Sequence, residues 1–332
     1  MEYKSVKGYS GWGQFGVLMA FLCLGFILAG IAQLVIGLKM IPPGTSMMEM
    51  GDAMLKAMMD PKNIAMARLS QVLGTFLLLF VPVVLYSLIV NGRNKFWLGF
   101  NSYVNGIQIL IGFFIIFAAG ILASPLEDIS KAIVVHFPSL DAMAKKLEAA
   151  YLEQVLALSN LKSWPEFLMA VVIMAFFPAL FEEVFFRGGV QNLLVKWWKR
   201  PLLAIIVTSL LFSLIHMSIY LFLSRALLGF VLGLMFHKTK NIWVNVIAHF
   251  LNNAVAVAQL FYMSSRKEKI DLSKLELKIE WWFTLGALIA TYFLFWLLTK
   301  YSIKNRQKVE AREQQLLAAE DPFRNFGNAE NQ

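Results

Sequence analysis

Eight stretches of this chain are too long and too apolar to belong to an ordinary soluble core. A helix needs about 20 apolar residues to cross the hydrocarbon of a bilayer. Runs near that length lie at 15–38, 69–90, 106–123, 167–187, 201–217, 221–236, 242–262 and 281–299. In lipid each backbone polar group must be satisfied within its own segment, so these runs read as helices and not as strands. The expected fold class is all-α: a polytopic membrane protein of about eight transmembrane helices. The composition requires the same solvent. The chain is 58% hydrophobic and 15% charged, against about 45–50% and 25% for a soluble domain.

The net charge is +9, but no nucleic-acid-binding motif accompanies it, so nucleic acid is not an expected partner. The cations gather in short connections: Arg93 and Lys95; Lys196, Lys199 and Arg200; Lys238 and Lys240. With eight spans these connections and both termini fall on one side, which the positive-inside rule makes cytoplasmic. Lys300, Lys304, Arg306 and Lys308 add to that side. The first apolar run exceeds the 7–15 residues of a signal-peptide core, so it reads as a span. Cys23 is the single cysteine, which excludes an intrachain disulfide and a thiolate metal cluster.

The longer connections differ from one another. Residues 39–68 are Met-rich with mixed charge, 140–158 read as an amphipathic helix, and 266–280 alternate charges with Ile270, Leu272, Leu275 and Leu277. Residues 309–332 are polar and read as a disordered tail. The chain divides into 1–164, helices and extramembrane loops; 165–262, the part that carries chemistry; 263–308, a loop and the last span; and 309–332, the tail.

Charges that do not belong in lipid mark the second part. Glu182, Glu183 and Arg187 stand at the end of an apolar run, where each ionised side chain costs about 2.5–3.5 kcal/mol at a span centre. Glu183 and Arg187 are four apart and can pair on one helix face. That leaves Glu182 without a local partner, a candidate general base or acid. Pro178 should kink the same helix. His216 and His249 lie inside other spans, and His249 and Asn253 share one helix face at i,i+4. A neutral imidazole can bind a metal or polarise a carbonyl, and a carboxamide can stabilise an oxyanion. Each feature has a plainer reading: hydrogen-bonded packing for a lone histidine, an interfacial position for the glutamates, a structural or snorkelling role for Arg225. Gly229 and Gly233 form a small-xxx-small face suited to close helix packing.

Three patterns in order narrow the choice: Glu-Glu-x-x-x-Arg at 182–187, Phe-x-x-x-His at 212–216 and His-x-x-x-Asn at 249–253. Together they resemble the signature of the CAAX-protease and bacteriocin-processing family (CPBP, formerly Abi) over roughly 165–262. That resemblance implies an intramembrane endopeptidase, usually called a metalloprotease, that cleaves membrane-associated or lipidated peptides. It implies Glu182 as the base that activates water, with Glu183 and Arg187 in support. His216 and His249 would bind or orient the water or a metal, and Asn253 would hold the oxyanion. Glu182, His216 and His249 form a candidate set for zinc or another divalent ion, with a metal-free glutamate mechanism as the alternative. A bacterial plasma membrane is the expected location. A catalytically silent scaffold or immunity-type protein, and an ion- or proton-coupled transporter, are the competing functions. One geometric tension remains. Counted as straight rods from the basic side, Glu182 lies at the surface, His249 about 10 Å deep and His216 about 22 Å deep. Extending the fourth span toward Trp197 would resolve it.

Overall fold

The computed structural model describes residues 3–158, 161, 163–265 and 280–320. The expected segment 266–279 and the tail 321–332 lie outside the described residues. Ten helices are described: α1 (Gly11–Leu38), α2 (Met50–Met59), α3 (Ile64–Asn91), α4 (Gly106–Val134), α5 (Pro138–Leu158), α6 (Trp164–Trp198), α7 (Pro201–Leu214), α8 (Phe222–Thr239), α9 (Ile242–Ser265) and α10 (Trp281–Glu320). Six of them, α1, α3, α4, α6, α9 and α10, are long and apolar enough to cross a membrane, and α7 is a shorter apolar helix. The chain is an all-α integral membrane protein.

Local sequence explains where these helices begin and bend. Asn105 opens α4 and Ser163 opens α6 with reciprocal capping boxes closed by Gln108 and Glu166, satisfying N–H groups that have no helical partner. Pro82 and Pro178 each follow a π-helical stretch, 76–80 in α3 and 171–176 in α6. Proline lacks an N–H and its ring collides with the carbonyl four residues back. The wider π turn before it relieves that collision, and such turns gather at functional sites. The sequence expectation of a disturbed helix at Pro178 is met in this form.

The fourth apolar run does not stop at Arg187. Helix α6 continues to Trp198 through a second π-helical stretch at 184–191. Glu182 therefore sits near mid-helix, roughly 25 Å from either end, which removes the tension in depth. In contrast, α7 ends at Leu214. Fourteen residues span about 21 Å, so α7 stops short of a full crossing. His216 lies in the turn beyond it, where Met217 takes a left-handed φ of 52°. Irregular backbone at this depth must be satisfied by protein, and it is. The His216 Nδ1–H bonds the carbonyl of Phe212 at 2.7 Å, and Ser213 Oγ donates to the carbonyl of Phe222 at 2.6 Å.

Helix α10 also outruns its apolar segment, continuing through Val309 to Glu320 where the sequence suggested disorder. Its polar half is rich in good helix formers. Arg306 pairs with Glu310 at 2.8 Å, and Glu313 accepts from Lys196 of α6 at 2.6 Å.

Close backbone approach sets the position of α6. A Cβ on Gly188 would stand 2.6 Å from the carbonyl oxygen of Leu98, a backbone atom that cannot swing away. Gly188→Ala should destabilise the protein by about 1–3 kcal/mol, read as a lower thermal midpoint in detergent. Gly30→Ala, which meets nothing within 4 Å, should leave the midpoint unchanged.

Candidate active site

The two adjacent glutamates of α6 point into different surroundings. Glu183 and Arg187 are sealed from solvent, with Arg187 Nη1 3.0 Å from Glu183 Oε1. Arg187 Nη2 donates to the carbonyl of Gly229 at 3.0 Å, and Gln191 Nε2, one turn on, donates to the carbonyl of Gly233 at 2.9 Å. The glycine pair of α8 thus does more than permit close packing: it bares two carbonyls to α6. The other oxygen of Glu183 accepts from Asn245 Nδ2 at 3.1 Å, while His249 Nδ1 bonds Glu183 Oε1 at 2.9 Å. Asn245 Nδ2 also reaches the carbonyl of Leu232 at 2.7 Å. One buried carboxylate therefore joins α6 to α9 directly and to α8 through Arg187 and Asn245.

Glu182 lies on the other side of that knot and lines a cavity of about 340 Å³. Its Oε2 is 3.9 Å from His216 Nε2 and 3.9 Å from His249 Nε2. Both imidazoles are held by their other nitrogen. A carbonyl oxygen only accepts, so His216 Nδ1 carries a proton toward Phe212. A carboxylate paired with arginine also accepts, so His249 Nδ1 carries one toward Glu183. When neutral, each ring turns an Nε2 lone pair toward Glu182. The ring of Phe212 stands between the two layers, 4.7 Å from the Arg187 guanidinium and 4.7 Å centre to centre from His216.

All three patterns thus meet at one cavity. Asn253 lines it as well, together with its neighbour Asn252. The sequence reading missed Asn252, Asn245, Gln71 and Tyr151. Asn245 was legible, because Asn245, His249 and Asn253 repeat every four residues along one face of α9. Gln71 of α3 and Tyr151 of α5 carry no motif and reach the cavity from the N-terminal half.

The donors offered for a divalent ion are chemically apt, two imidazole nitrogens and a carboxylate. Ligand atoms 2.0–2.2 Å from a tetrahedral ion stand about 3.3–3.6 Å apart, so the 3.9 Å separations of Glu182 Oε2 from the two Nε2 atoms are a few tenths of an ångström wider than in an occupied ligand set. Among the described residues, no three His, Cys, Asp or Glu side chains are grouped as a metal site.

Helix α5 walls the cavity at the end opposite the basic connections, through Tyr151 and Val155. It is docked on the turn that carries His216. Tyr220 donates to Asp141 Oδ1 at 2.6 Å and Ser218 to Glu148 at 3.3 Å. Lys145 and the Tyr220 hydroxyl hold the Asp141 carboxyl below its usual range. That contact is in place above the ordinary carboxylate range and weakens as pH falls through the depressed value.

Comparison with known proteins bears on the same part of the chain. Residues 164–255 match the model of the Rce1-like family, described as type II CAAX prenyl endopeptidase. This segment, less than a third of the chain, is similar to that family. The matched stretch runs from the start of α6 into α9 and contains the two glutamates, both histidines and Asn253. The similarity of this segment is, at family level, to CAAX-type endopeptidases. The uncharacterised protein YpbD of Bacillus subtilis (strain 168) is 30% identical over 105 residues, which are 30% of this chain and 51% of YpbD. The chain spans about half the length of that curated relative. No solved structure matches this chain.

The two adjacent glutamates have opposite surroundings, and stability measurements separate them. Breaking a buried ion pair by removing one partner costs about 3–5 kcal/mol. Glu183→Gln and Arg187→Leu should therefore lower the thermal midpoint in detergent strongly, whereas Glu182→Gln should leave it near the wild-type value.

Proposed function

We propose that this protein is an endopeptidase that hydrolyses membrane-associated polypeptides with a water activated by Glu182. The observation that carries the reading is the convergence on Glu182 Oε2 of two imidazole Nε2 atoms, each 3.9 Å away, in a cavity among apolar helices. That distance is too long for a direct hydrogen bond and leaves room for a small proton donor between the three acceptors. Water supplies two protons to such a set.

In this mechanism Glu182 takes one proton from the water while an imidazole accepts the other O–H as a hydrogen bond. The hydroxide oxygen forms a bond to the peptide carbonyl carbon, and the carbonyl oxygen becomes an oxyanion. Asn253, which lines the same cavity, is the amide that donates to it in this reading. The protonated Glu182 then gives its proton to the amide nitrogen as the C–N bond breaks, releasing an amine and a carboxylic acid, which ionises as it leaves. Glu183 and Arg187 are positioning residues: they fix the His249 ring through Nδ1 and never face the substrate. Gln71 Oε1 is buried at the cavity wall with no partner among the described residues, so it can accept an N–H from an extended substrate. Each step uses only groups of this chain and one water.

The short basic connections support a plasma-membrane orientation with both termini in the cytoplasm and α5 on the opposite face. In a Cys23→Ser background, a cysteine at Met48, an exposed position, should react with an impermeant maleimide on intact cells. A cysteine at Lys95 should react only after lysis. The reverse pattern would invert the orientation.

Hydrolysis is tested with detergent-purified protein and a quenched-peptide library, lipidated and unlipidated. Glu182→Gln should lower cleavage by roughly 10²–10⁴-fold, the usual contribution of a general base. Unchanged cleavage in that variant would remove Glu182 from the mechanism. Parallel lanes with a chelator read metal dependence: retained activity fits the mechanism above, and loss restored by zinc would replace it with a metal-assisted one.

A further inference from the structure

Two cations on the basic side of the protein stand over an apolar groove. The groove has a volume of about 300 Å³ and lies at the end of α3. Phe80, Val84, Ser87 and Leu88 of that helix line it, with Trp243 of α9 across from them. Arg93 and Lys95, in the connection that follows α3, line its outer end, and both are exposed. Among the described residues neither has an ion pair, and no acidic side chain lines the groove. Lys196, on the same side of the protein, shows the contrast: it is matched by Glu313 at 2.6 Å. The positive-inside rule accounts for cations on this side. It does not account for an apolar groove beneath two of them.

The dimensions of the groove describe its occupant. From Phe80 to Asn91, α3 runs about 16 Å, close to half of the roughly 30 Å hydrocarbon thickness of a bilayer. The groove is therefore as deep as one leaflet. Trp243 is 37% exposed and its ring meets Phe100 edge-on at 5.5 Å, a position typical of aromatics beside headgroups. Ser87 is only 4% exposed, and its hydroxyl has no hydrogen bond among the described residues. A polar atom left so in an apolar groove is matched by a ligand that carries an acceptor at that depth. At the inner end the Phe80 ring lies 5.3 Å from that of Phe181, the neighbour of Glu182. The groove shares no lining residue with the cavity of Glu182, so a chain lying in it does not lead to that carboxylate.

We infer that this groove binds an anionic phospholipid of the bilayer, with the phosphate on Arg93 and Lys95 and one acyl chain laid along Val84 and Leu88 toward Phe80. Basic pockets between spans on the cytoplasmic side take anionic headgroups, and a guanidinium meets phosphate oxygens with two parallel N–H bonds. Ser87 lies about 6 Å below Asn91 along the helix, where a phospholipid held this way carries its ester carbonyls, and its hydroxyl donates to one of them. Because Phe80 packs on Phe181, the bound chain also steadies α3 against the helix that carries Glu182.

The test uses delipidated protein in detergent, with bound lipid counted by native mass spectrometry and the thermal midpoint read in parallel. The probes are phosphatidylglycerol, phosphatidylcholine with the same chains, and glycerophosphoglycerol, which is the anionic headgroup without chains. Wild type should bind phosphatidylglycerol about tenfold or more tightly than phosphatidylcholine, and its midpoint should rise with that binding. Arg93→Gln with Lys95→Gln should bring the ratio near one. Leu88→Trp, which fills the groove from a position 41% exposed, should weaken both phospholipids. Lys304→Gln with Lys308→Gln, two exposed cations on the same side, should leave the ratio as in wild type. An equal fall in that control would reduce the effect to diffuse charge and overturn the site, as would a ratio unchanged in Arg93→Gln with Lys95→Gln. Glycerophosphoglycerol should fail to displace the phospholipid; displacement at equal concentration would leave a phosphate site only and overturn the acyl groove. A lipidated peptide that displaces phosphatidylglycerol as well as the phospholipid itself does would make the groove a substrate path and overturn the assignment. None of these readings uses cleavage, so they stand or fall apart from the hydrolytic reading.

Discussion

The structure depends on one buried carboxylate. Glu183 is out of reach of water and satisfied on both oxygens, by Arg187 and His249 on one and Asn245 on the other. In lipid there is no hydrophobic force between helices, so packing and interhelical hydrogen bonds hold them together. This carboxylate concentrates such bonds at the point where α6, α8 and α9 meet. It also does something a purely apolar contact could not. By accepting the Nδ1 proton of His249 it fixes which nitrogen of that ring carries the lone pair, while the neighbouring Glu182 faces the two Nε2 atoms at 3.9 Å, beyond direct hydrogen-bond distance. One residue of the pair makes the fold, and the other is left for chemistry.

The second constraint is the short helix α7. Because it stops at Leu214, the chain turns inside the protein, and the carbonyls of that turn must find donors. The ring of His216, the hydroxyl of Ser213 and the guanidinium of Arg225 supply three of them. The same bonds that close the turn also orient the His216 imidazole and anchor Arg225 at the cavity. Structural satisfaction and placement of reactive groups are therefore met by the same atoms. The docking of α5 on this turn through Tyr220 and Ser218 extends the arrangement to a helix outside the spans.

Much of this was legible in the sequence, and the limits have physical causes. The apolar runs identified the helices because lipid demands them. The motif residues converge because three ionisable or imidazole-bearing patterns inside apolar runs have few alternative explanations. The length of α6 was obscured because Arg187, Gly188, Gly189 and Gln191 look like a helix end. In the structure they are buried, with Arg187 and Gln191 donating to carbonyls of a helix more than forty residues away in sequence. The polar half of α10 looked like a disordered tail because its helical support comes from charge pairs, one of them with Lys196. Gln71 and Tyr151 were invisible because their place at the cavity is set by packing between the two halves, and no local pattern announces it.

The central claim is that Glu183 and the Phe212 carbonyl hold the two imidazoles with protons on Nδ1 and lone pairs on Nε2 facing Glu182. The most direct measurement is ¹⁵N NMR of histidine-labelled protein in detergent, above the ordinary histidine titration range. The chain has 4 histidines, so single substitutions assign the signals. The account predicts that His216 and His249 both show a protonated Nδ1 and an unprotonated, pyridine-type Nε2. A protonated Nε2 on either ring would contradict it, because that ring would then aim a proton at Glu182 and could not accept one from a bound water.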